Sequence, residues 1–159
     1  MIKLIMFDLD DTLVNHQAGA ETALKTLAAL LLQLRYAPDS YDFNPFLESY
    51  YAMNHRLWTD FTTGKMEITQ LLDKRFDYIF DWFEVRQQHH ELIKKAYWDT
   101  YVSSCSLTAD WAPLLEEMSK KATLVICSNG LEQIQLRKLQ FTHIARFFKG
   151  FYFGTAQPD

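Results

Sequence analysis

Two short apolar segments end in polar residues, and their order along the chain limits the folds that are possible. Residues 2–8 are predicted to form a buried strand, because "IKLIMF" is nearly continuously apolar and leads into Asp8. Residues 123–128, "TLVICS", form the second such segment, and Asn129-Gly130 follow it. Further elements are predicted at 110–121 (helix), 131–140 (helix) and 150–154 (a weaker strand). This alternation of strand and helix predicts a parallel α/β sheet.

The middle of the chain, from residue 17 to 104, is predicted to be entirely helical. Leucines that repeat at helical spacing mark a first helix: Leu24, Leu27, Leu31 and Leu34. Asn44, which precedes Pro45, is predicted to be the N-cap of a second helix that Gly64 closes. Two more helical runs follow, at 66–83 and 89–102.

The domain organisation expected from these elements is a core with one insertion. A length of 159 residues suits a single ordinary domain that carries a small insertion. We expect residues 1–16 and 105–159 to form a Rossmann-like α/β core, and residues 17–104 to form an all-helical cap inserted into it. Because only three strands are found, the parallel sheet is expected to be incomplete.

Composition excludes several classes of partner. The net charge of −4 and the pI of about 5.7 argue against binding to a nucleic-acid polymer or to an anionic membrane. Apolar runs are too short to span a membrane, and Asp8 comes too early for a signal peptide. Cys105 and Cys127 form no metal-ligand pattern, so reduced and inert thiols in a cytoplasmic protein are expected.

The polar residues at the two strand ends predict a phosphate site. Ligands of open parallel sheets bind beyond the carboxyl ends of the strands, where Asp8, Asp10 and the turn Ser128-Asn129-Gly130 would face one another. The turn opens a helix whose free N–H groups suit a phosphate. Clustered carboxylates beside a phosphate require a cation, and Mg²⁺ prefers these oxygen ligands. The neighbouring acid, Asp11, is expected only to be solvated or to stabilise a turn.

The motif "DLDDTL", a helical insertion and a later strand ending in "SNG" together resemble the haloacid dehalogenase superfamily. The resemblance implies that Asp8 is the nucleophile, which becomes an aspartyl-phosphate, and that Asp10 acts as general acid and base. It also implies that both acids help to hold Mg²⁺, and that Ser128 belongs to a phosphate-binding motif. Asp10 favours the phosphatase branch, because the dehalogenating branch lacks an acid at that position.

The insertion resembles the cap of one subgroup, the nucleotidases that act on pyrimidine and noncanonical nucleoside monophosphates. The similar stretch is "YYAMNHRLWTDFTTGKMEITQLLDKRF", with landmarks at Asn54, Trp58, Gly64 and Arg75. Fifteen of the 24 aromatic residues lie between Tyr41 and Tyr101, and such rings serve either as core or as a surface for a stacked base. A small phosphorylated metabolite, in particular a nucleotide, is therefore the expected ligand, and a monomer or homodimer is the expected assembly.

Two departures from the family pattern affect the expected activity. The third motif of the family is a lysine, and "GTAQPD" places Gln157 at that position. The later acids that complete the Mg²⁺ site are absent, because the sequence stops at Asp159. The sequence is therefore expected to be a C-terminally truncated form with weak or no activity, in which the "LIMF" strand has an open, apolar side.

Two alternatives to a phosphatase remain open at this point. The first is a non-catalytic protein that keeps the fold and binds a phosphorylated ligand or a partner, for which Gln157 and the missing acids are the reason. The second is a phosphotransferase, which differs only in the acceptor of the phosphoryl group. The sequence does not name the base or the sugar of a nucleotide substrate.

Overall fold

The computed structural model describes residues 2–154, which form three β-strands and six α-helices. Gln157 and the other residues after Gly154 lie outside this range. The elements, in chain order, are β1 (Leu4–Phe7), α1 (His16–Gln33), α2 (Asn44–Thr62), α3 (Ile68–Trp82), α4 (His90–Ser103), α5 (Ala112–Ser119), β2 (Thr123–Ser128), α6 (Glu132–Phe141) and β3 (Gly150–Phe153).

The strands form one parallel sheet in the order β1-β2-β3. Phe7 pairs with Ile126, so the carboxyl ends of β1 and β2 lie side by side. Helix α5 precedes β2 and helix α6 follows it, which is the alternation expected of parallel strands. The predicted fold class, an α/β protein with a parallel sheet, is confirmed.

Strand β1 lies at one edge of the described sheet, and much of its apolar surface is open. Leu4 is 52% exposed and Met6 is 66% exposed. In β2, by contrast, Leu124 and Ile126 are completely buried, and neighbouring strands pair with both edges of this strand. The expected open side of the "LIMF" strand is therefore present within the described residues.

Helix α2 begins at Asn44, with Pro45 in its first turn as predicted, but the predicted cap is wrong. Asn44 donates its own backbone N–H to the Asp42 carboxylate, at 3.0 Å. Asp42 thus supplies the side-chain acceptor two residues earlier than expected. Gly64 follows the helix in a left-handed conformation, φ +74°, which is typical of a residue that ends a helix.

The chain separates into two compact units, which divide at Leu24 and Tyr97. One unit, here called the cap unit, is Leu24–Tyr97. The other, here called the motif unit, consists of Met1–Ala23 and Trp98–Asp159. The predicted domain limits, 17–104 for the cap, remain a prediction. Within the described residues, no helix has the length and apolar content required to cross a membrane.

Candidate active site

The two predicted strand-end motifs are brought together by a residue that the sequence analysis did not identify. Gln135, on α6, donates its side-chain amide to Asp10 Oδ2 at 2.8 Å and to Ser128 Oγ at 2.7 Å. One buried side chain therefore connects the acid that follows β1 to the hydroxyl that ends β2. Asp10 and Ser128 thus belong to one site, as the parallel pairing of β1 with β2 requires.

The loop after β1 aims its acids outward because its apolar residues are buried. Leu9 and Leu13 are completely buried, whereas Asp8 is exposed and Asp10 is partly exposed. Asp11 has a left-handed backbone, φ 57°, and its carboxylate accepts the His16 N–H at 3.0 Å. Asp11 therefore stabilises the turn into α1, which is the role that the sequence predicted for it.

Contacts with the segment after α4 fix this loop in place. The Thr108 hydroxyl donates to the Thr12 carbonyl at 2.7 Å, and the Thr108 N–H donates to the Leu13 carbonyl at 3.0 Å. Asn15 N–H donates to the Ser106 carbonyl at 2.8 Å. The acids are consequently carried by a loop whose C-terminal part is anchored to residues 106–108.

Asp8 follows β1 directly and is exposed to solvent. Its carboxylate is exposed, and Oδ2 accepts a hydrogen bond from the Thr12 hydroxyl at 3.3 Å. This contact links the first acid of the motif to its threonine, four residues later. An exposed carboxylate with one neutral hydrogen-bond partner is suited to act as a nucleophile or as a metal ligand.

The Ser128-Asn129-Gly130 turn is shaped by the same glutamine. The Gly130 N–H donates to Ser128 Oγ at 3.3 Å. A Cβ atom on Gly130 would overlap the Gln135 amide, at 2.6 Å from its Cδ, so the turn accepts no side chain here without moving Gln135. Asn129 is exposed, and α6 begins two residues after Gly130.

Lys138 is a second residue of the site that the sequence analysis missed. Its side chain is 1% exposed, and Nζ forms an ion pair with Asp10 Oδ1 at 2.6 Å. Nζ also donates to the Tyr101 hydroxyl at 2.6 Å, and that hydroxyl lies 2.5 Å from His16 Nδ1. The predicted acid, Asp10, is therefore held at both oxygens, by an ammonium group and by an amide.

A family model for haloacid dehalogenase-like hydrolases matches residues 2–158. The chain belongs to this family. The motif loop after β1, the Ser128 turn after β2 and the parallel order of the strands are the features of this family that the sequence analysis had identified.

Curated relatives of the chain include two nucleotidases. The chain is 25% identical over 163 residues to the pyrimidine 5'-nucleotidase PynA of Streptococcus pneumoniae. This alignment covers 99% of the chain and 65% of PynA. It is 24% identical to the pyrimidine 5'-nucleotidase YjjG of Escherichia coli, over 91% of the chain and 59% of YjjG. The chain therefore spans about 60% of the length of the curated relatives it matches.

Solved structures show the same fold. The HAD-hydrolase YfnB of Bacillus subtilis, in a crystal form bound to magnesium, matches with a TM-score of 0.72 at 23% identity. The match covers 96% of this chain and 65% of the YfnB chain. The 2-haloacid dehalogenase of Pseudomonas syringae has a TM-score of 0.65 at 21% identity, with coverages of 97% and 64%. Both the HAD-hydrolase and the 2-haloacid dehalogenase thus share the fold described above.

The donor groups of this haloacid dehalogenase-like site fit Mg²⁺ only in part. Asp8 offers an exposed carboxylate, and Mg²⁺ is commonly held by one or two carboxylates together with water and substrate phosphate. The Asp10 carboxylate is already engaged by Lys138 and Gln135. Within residues 2–154, no group of three or more histidine, cysteine, aspartate or glutamate side chains is arranged to hold a metal. Asp8 is therefore the side chain best placed to be a ligand.

Proposed function

We propose that the chain carries the phosphoryl-transfer site of a Mg²⁺-dependent phosphatase, with Asp8 as the nucleophile. The observation that carries this proposal is the connection of Asp10 to Ser128 through Gln135, which gathers both family motifs at one sheet edge. A carboxylate oxygen of Asp8 attacks phosphorus, and the bond from phosphorus to the ester oxygen breaks. The products of this step are an aspartyl-phosphate and a leaving alkoxide, which needs a proton.

Asp10 donates that proton in the proposed reaction and accepts another in the second step. As general acid its carboxyl group protonates the leaving oxygen, and as general base it then accepts a proton from the water that attacks the aspartyl-phosphate. This second step releases inorganic phosphate and restores Asp8. Bound Mg²⁺, held by Asp8, would neutralise negative charge on the phosphoryl oxygens. Ser128, Asn129 and Gly130, at the start of α6, bind the phosphoryl group.

A nucleoside 5'-monophosphate is the proposed substrate. Two curated relatives are named as pyrimidine 5'-nucleotidases, and each of them matches more than nine-tenths of this chain. The cap unit carries the sequence landmarks that resemble the same subgroup. We place the protein in the cytoplasm, which is supported by two free cysteines in the described chain, Cys105 and Cys127.

The test is release of inorganic phosphate from pyrimidine and purine nucleoside monophosphates, with and without Mg²⁺. Asp8→Asn removes the nucleophile and is expected to abolish Mg²⁺-dependent phosphate release, which is measured at high protein concentration because the sequence predicts weak activity. Asp11→Asn is the matched control, because it changes the same residue type three positions away but keeps the acceptor for His16 N–H. Asp11→Asn is expected to stay within about threefold of the unaltered chain, which is a difference below 1 kcal/mol.

The alternative of a non-catalytic binding protein gives a different result in the same assay. Such a protein would bind inorganic phosphate in the presence of Mg²⁺ but release none from any nucleotide, and Asp8→Asn would change only the binding. Equal phosphate release by the unaltered chain and by Asp8→Asn would contradict the assignment of Asp8 as nucleophile.

A further inference from the structure

Burial of polar side chains is concentrated at the site. Among the described residues, three polar or charged side chains are buried, namely Ser128, Gln135 and Lys138. All three contact either Asp10 or each other. A buried polar group costs free energy unless it is paired, so a cluster of such groups in one place indicates a function other than packing.

Lys138 is the most costly member of this cluster. Its ammonium group is withdrawn from water, with 1% of the side chain exposed, and Asp10, its partner, keeps 28% exposure. A buried ion pair seldom adds stability over an apolar pair of the same size, because both ions lose their hydration. A methionine or leucine on this face of α6 would serve packing alone.

We propose that Lys138 is a positioning residue for Asp10 and supplies the fixed positive charge of this site. This proposal rests on the proposed phosphatase function. A phosphate anion that approaches Asp8 and Asp10 meets two negative charges, and the Lys138 ammonium group, 2.6 Å from Asp10, reduces their sum to one.

Hydrogen-bond chemistry explains why the ammonium group points at Asp10. A lysine ammonium only donates, so the Tyr101 hydroxyl accepts from Nζ, and its own O–H is then available to donate to His16 Nδ1. Tyr101, which in turn contacts His16, therefore gives the Lys138 ammonium group a second acceptor besides Asp10. Two acceptors, Asp10 Oδ1 and the Tyr101 hydroxyl, thus define the position of the ammonium group.

Gln135 fixes the other oxygen of Asp10 by the same logic. Its amide must turn its N–H₂ toward Asp10, because a carboxylate oxygen only accepts. This orientation leaves Gln135 Oε1 buried without a hydrogen-bond partner among the described residues. The side chain thus satisfies Asp10 and Ser128 while one of its own atoms stays unsatisfied, which is the arrangement expected of a residue that positions others.

The experiment measures binding of inorganic phosphate to the purified chain at saturating Mg²⁺, by calorimetry. Lys138→Met keeps the length of the side chain and removes its charge, and it is expected to weaken phosphate binding about tenfold because Asp10 is left uncompensated. Arg137→Met is the matched control: it is the adjacent residue, and its ion pair with Asp99, at 2.8 Å, is exposed. Arg137→Met is expected to bind phosphate within about twofold of the unaltered chain.

The double variant Asp10→Asn/Lys138→Met separates the charge from packing. It removes both ions, so the net charge beside Asp8 equals that of the unaltered chain, and phosphate binding is expected to return to within about threefold. If Lys138 acted only through packing, the double variant would bind no better than Lys138→Met. The double variant also carries the test if Lys138→Met alone fails to fold, because it leaves no unpaired ion.

Each outcome of the phosphate-binding experiment either supports or overturns the proposal. Tenfold weaker binding in Lys138→Met together with recovery in the double variant supports the proposal. Unchanged binding in Lys138→Met, or no recovery in the double variant, overturns the role of Lys138 and leaves the phosphatase site standing. If the unaltered chain binds no phosphate at all and releases none, the proposed function fails, and the role of Lys138 fails with it.

Discussion

The cap unit and the motif unit bury different kinds of side chain. In the cap unit the largest fully buried residues are aromatic or aliphatic, such as Phe46, Tyr50, Leu71 and Tyr97. Its tyrosine hydroxyls are satisfied by Arg75, which donates to Tyr50 at 2.8 Å and to Tyr97 at 2.6 Å. The described part of the motif unit contains all three buried polar side chains of the structure, including a lysine.

This difference has a different energetic consequence in each unit. Burial of apolar side chains stabilises the cap unit directly, and it raises the pKa of the Tyr97 hydroxyl, so that this tyrosine stays neutral. Burial of Lys138 and Gln135 costs free energy that the motif unit must recover elsewhere in its core. Substitutions in the cap unit should therefore affect stability alone, whereas substitutions at the buried polar cluster of the motif unit should affect ligand binding as well.

The largest effect is expected from opening a cavity in the cap unit. Leu71 on α3 is completely buried, so Leu71→Ala should lower the free energy of unfolding by about 3 kcal/mol. Leu92→Ala is the matched control in the same unit, because Leu92 is 48% exposed; its effect should be below about 0.5 kcal/mol. Denaturant unfolding of both variants checks this. Equal losses would contradict the description of the cap unit as a stability core.

The next effect is expected from Gly130→Ala in the motif unit. The added methyl group overlaps the Gln135 amide, and either the turn or Gln135 must move, at about 2 kcal/mol of unfolding free energy. Phosphate binding should weaken as well, because Gln135 holds Asp10 and Ser128.

The double variant Gly130→Ala/Gln135→Ala checks the cause of that loss. Truncating Gln135 removes the overlap, so stability should recover in part, whereas phosphate binding should not recover. Full recovery of binding in the double variant would show that Gln135 does not position the site.

Local patterns in the sequence were sufficient to predict most elements of the fold. The second strand was predicted at 123–128, and β2 has these same limits, because a β-branched apolar run followed by Asn129-Gly130 leaves little choice. Parallel pairing then followed from the alternation of strands and helices. The cap of α2 was assigned wrongly: the N-cap residue is Phe43, and the Asp42 carboxylate, not Asn44, bonds to the first turn, which local sequence does not decide.

Local patterns in the sequence do not predict the residues that contact Asp10. Lys138 lies beside Arg137 in a short helix, and periodicity alone does not show which of the two cations faces inward. The signal that was available is the spacing of Gln135 and Lys138, which lie three residues apart and so share one face of α6. Their burial depends on the packing of α6 beside the motif loop, which is a property of the tertiary structure. The assignment of Asp8, Asp10 and Ser128 to chemical roles remains a prediction.

A smaller effect is expected at Cys105, behind the site. Burial raises the pKa of its thiol to about 11; nearby Asp10 and Asp11 add to this, and Lys138 opposes it. The folded state therefore holds the thiol proton more tightly than the unfolded state, whose pKa is about 8.5 to 9. The stability that Cys105 contributes is complete below a pH of about 8.5 and is lost as the pH rises to about 11, by at most about 2 kcal/mol.

Comparison with Cys105→Ala isolates this titration from that of other groups. The difference in unfolding free energy between the unaltered chain and Cys105→Ala should shrink between pH 9 and pH 11 and be constant between pH 6 and pH 8. A thiol reagent at pH 8 should modify the more accessible Cys127 before Cys105. A difference that grows with pH would have the wrong sign for a buried thiol.

The smallest effect is expected at an ion pair in the cap unit that matches the chemistry of Lys138 but not its burial. Lys65 pairs with Asp60 at 3.4 Å, and the two side chains are 68% and 40% exposed. Water screens this pair, and the flexible side chains lose entropy to form it, so Lys65→Met should change the unfolding free energy by less than about 0.5 kcal/mol. Added salt should remove this small contribution to the unfolding free energy, since the Debye length falls to about 3 Å at 1 M salt. Lys138→Met is the same substitution at a lysine-aspartate pair, and there the phosphate affinity should change at any salt concentration that allows binding. A loss of phosphate affinity in Lys65→Met as large as that in Lys138→Met would show that total charge, and not the position of one ammonium group, governs the site.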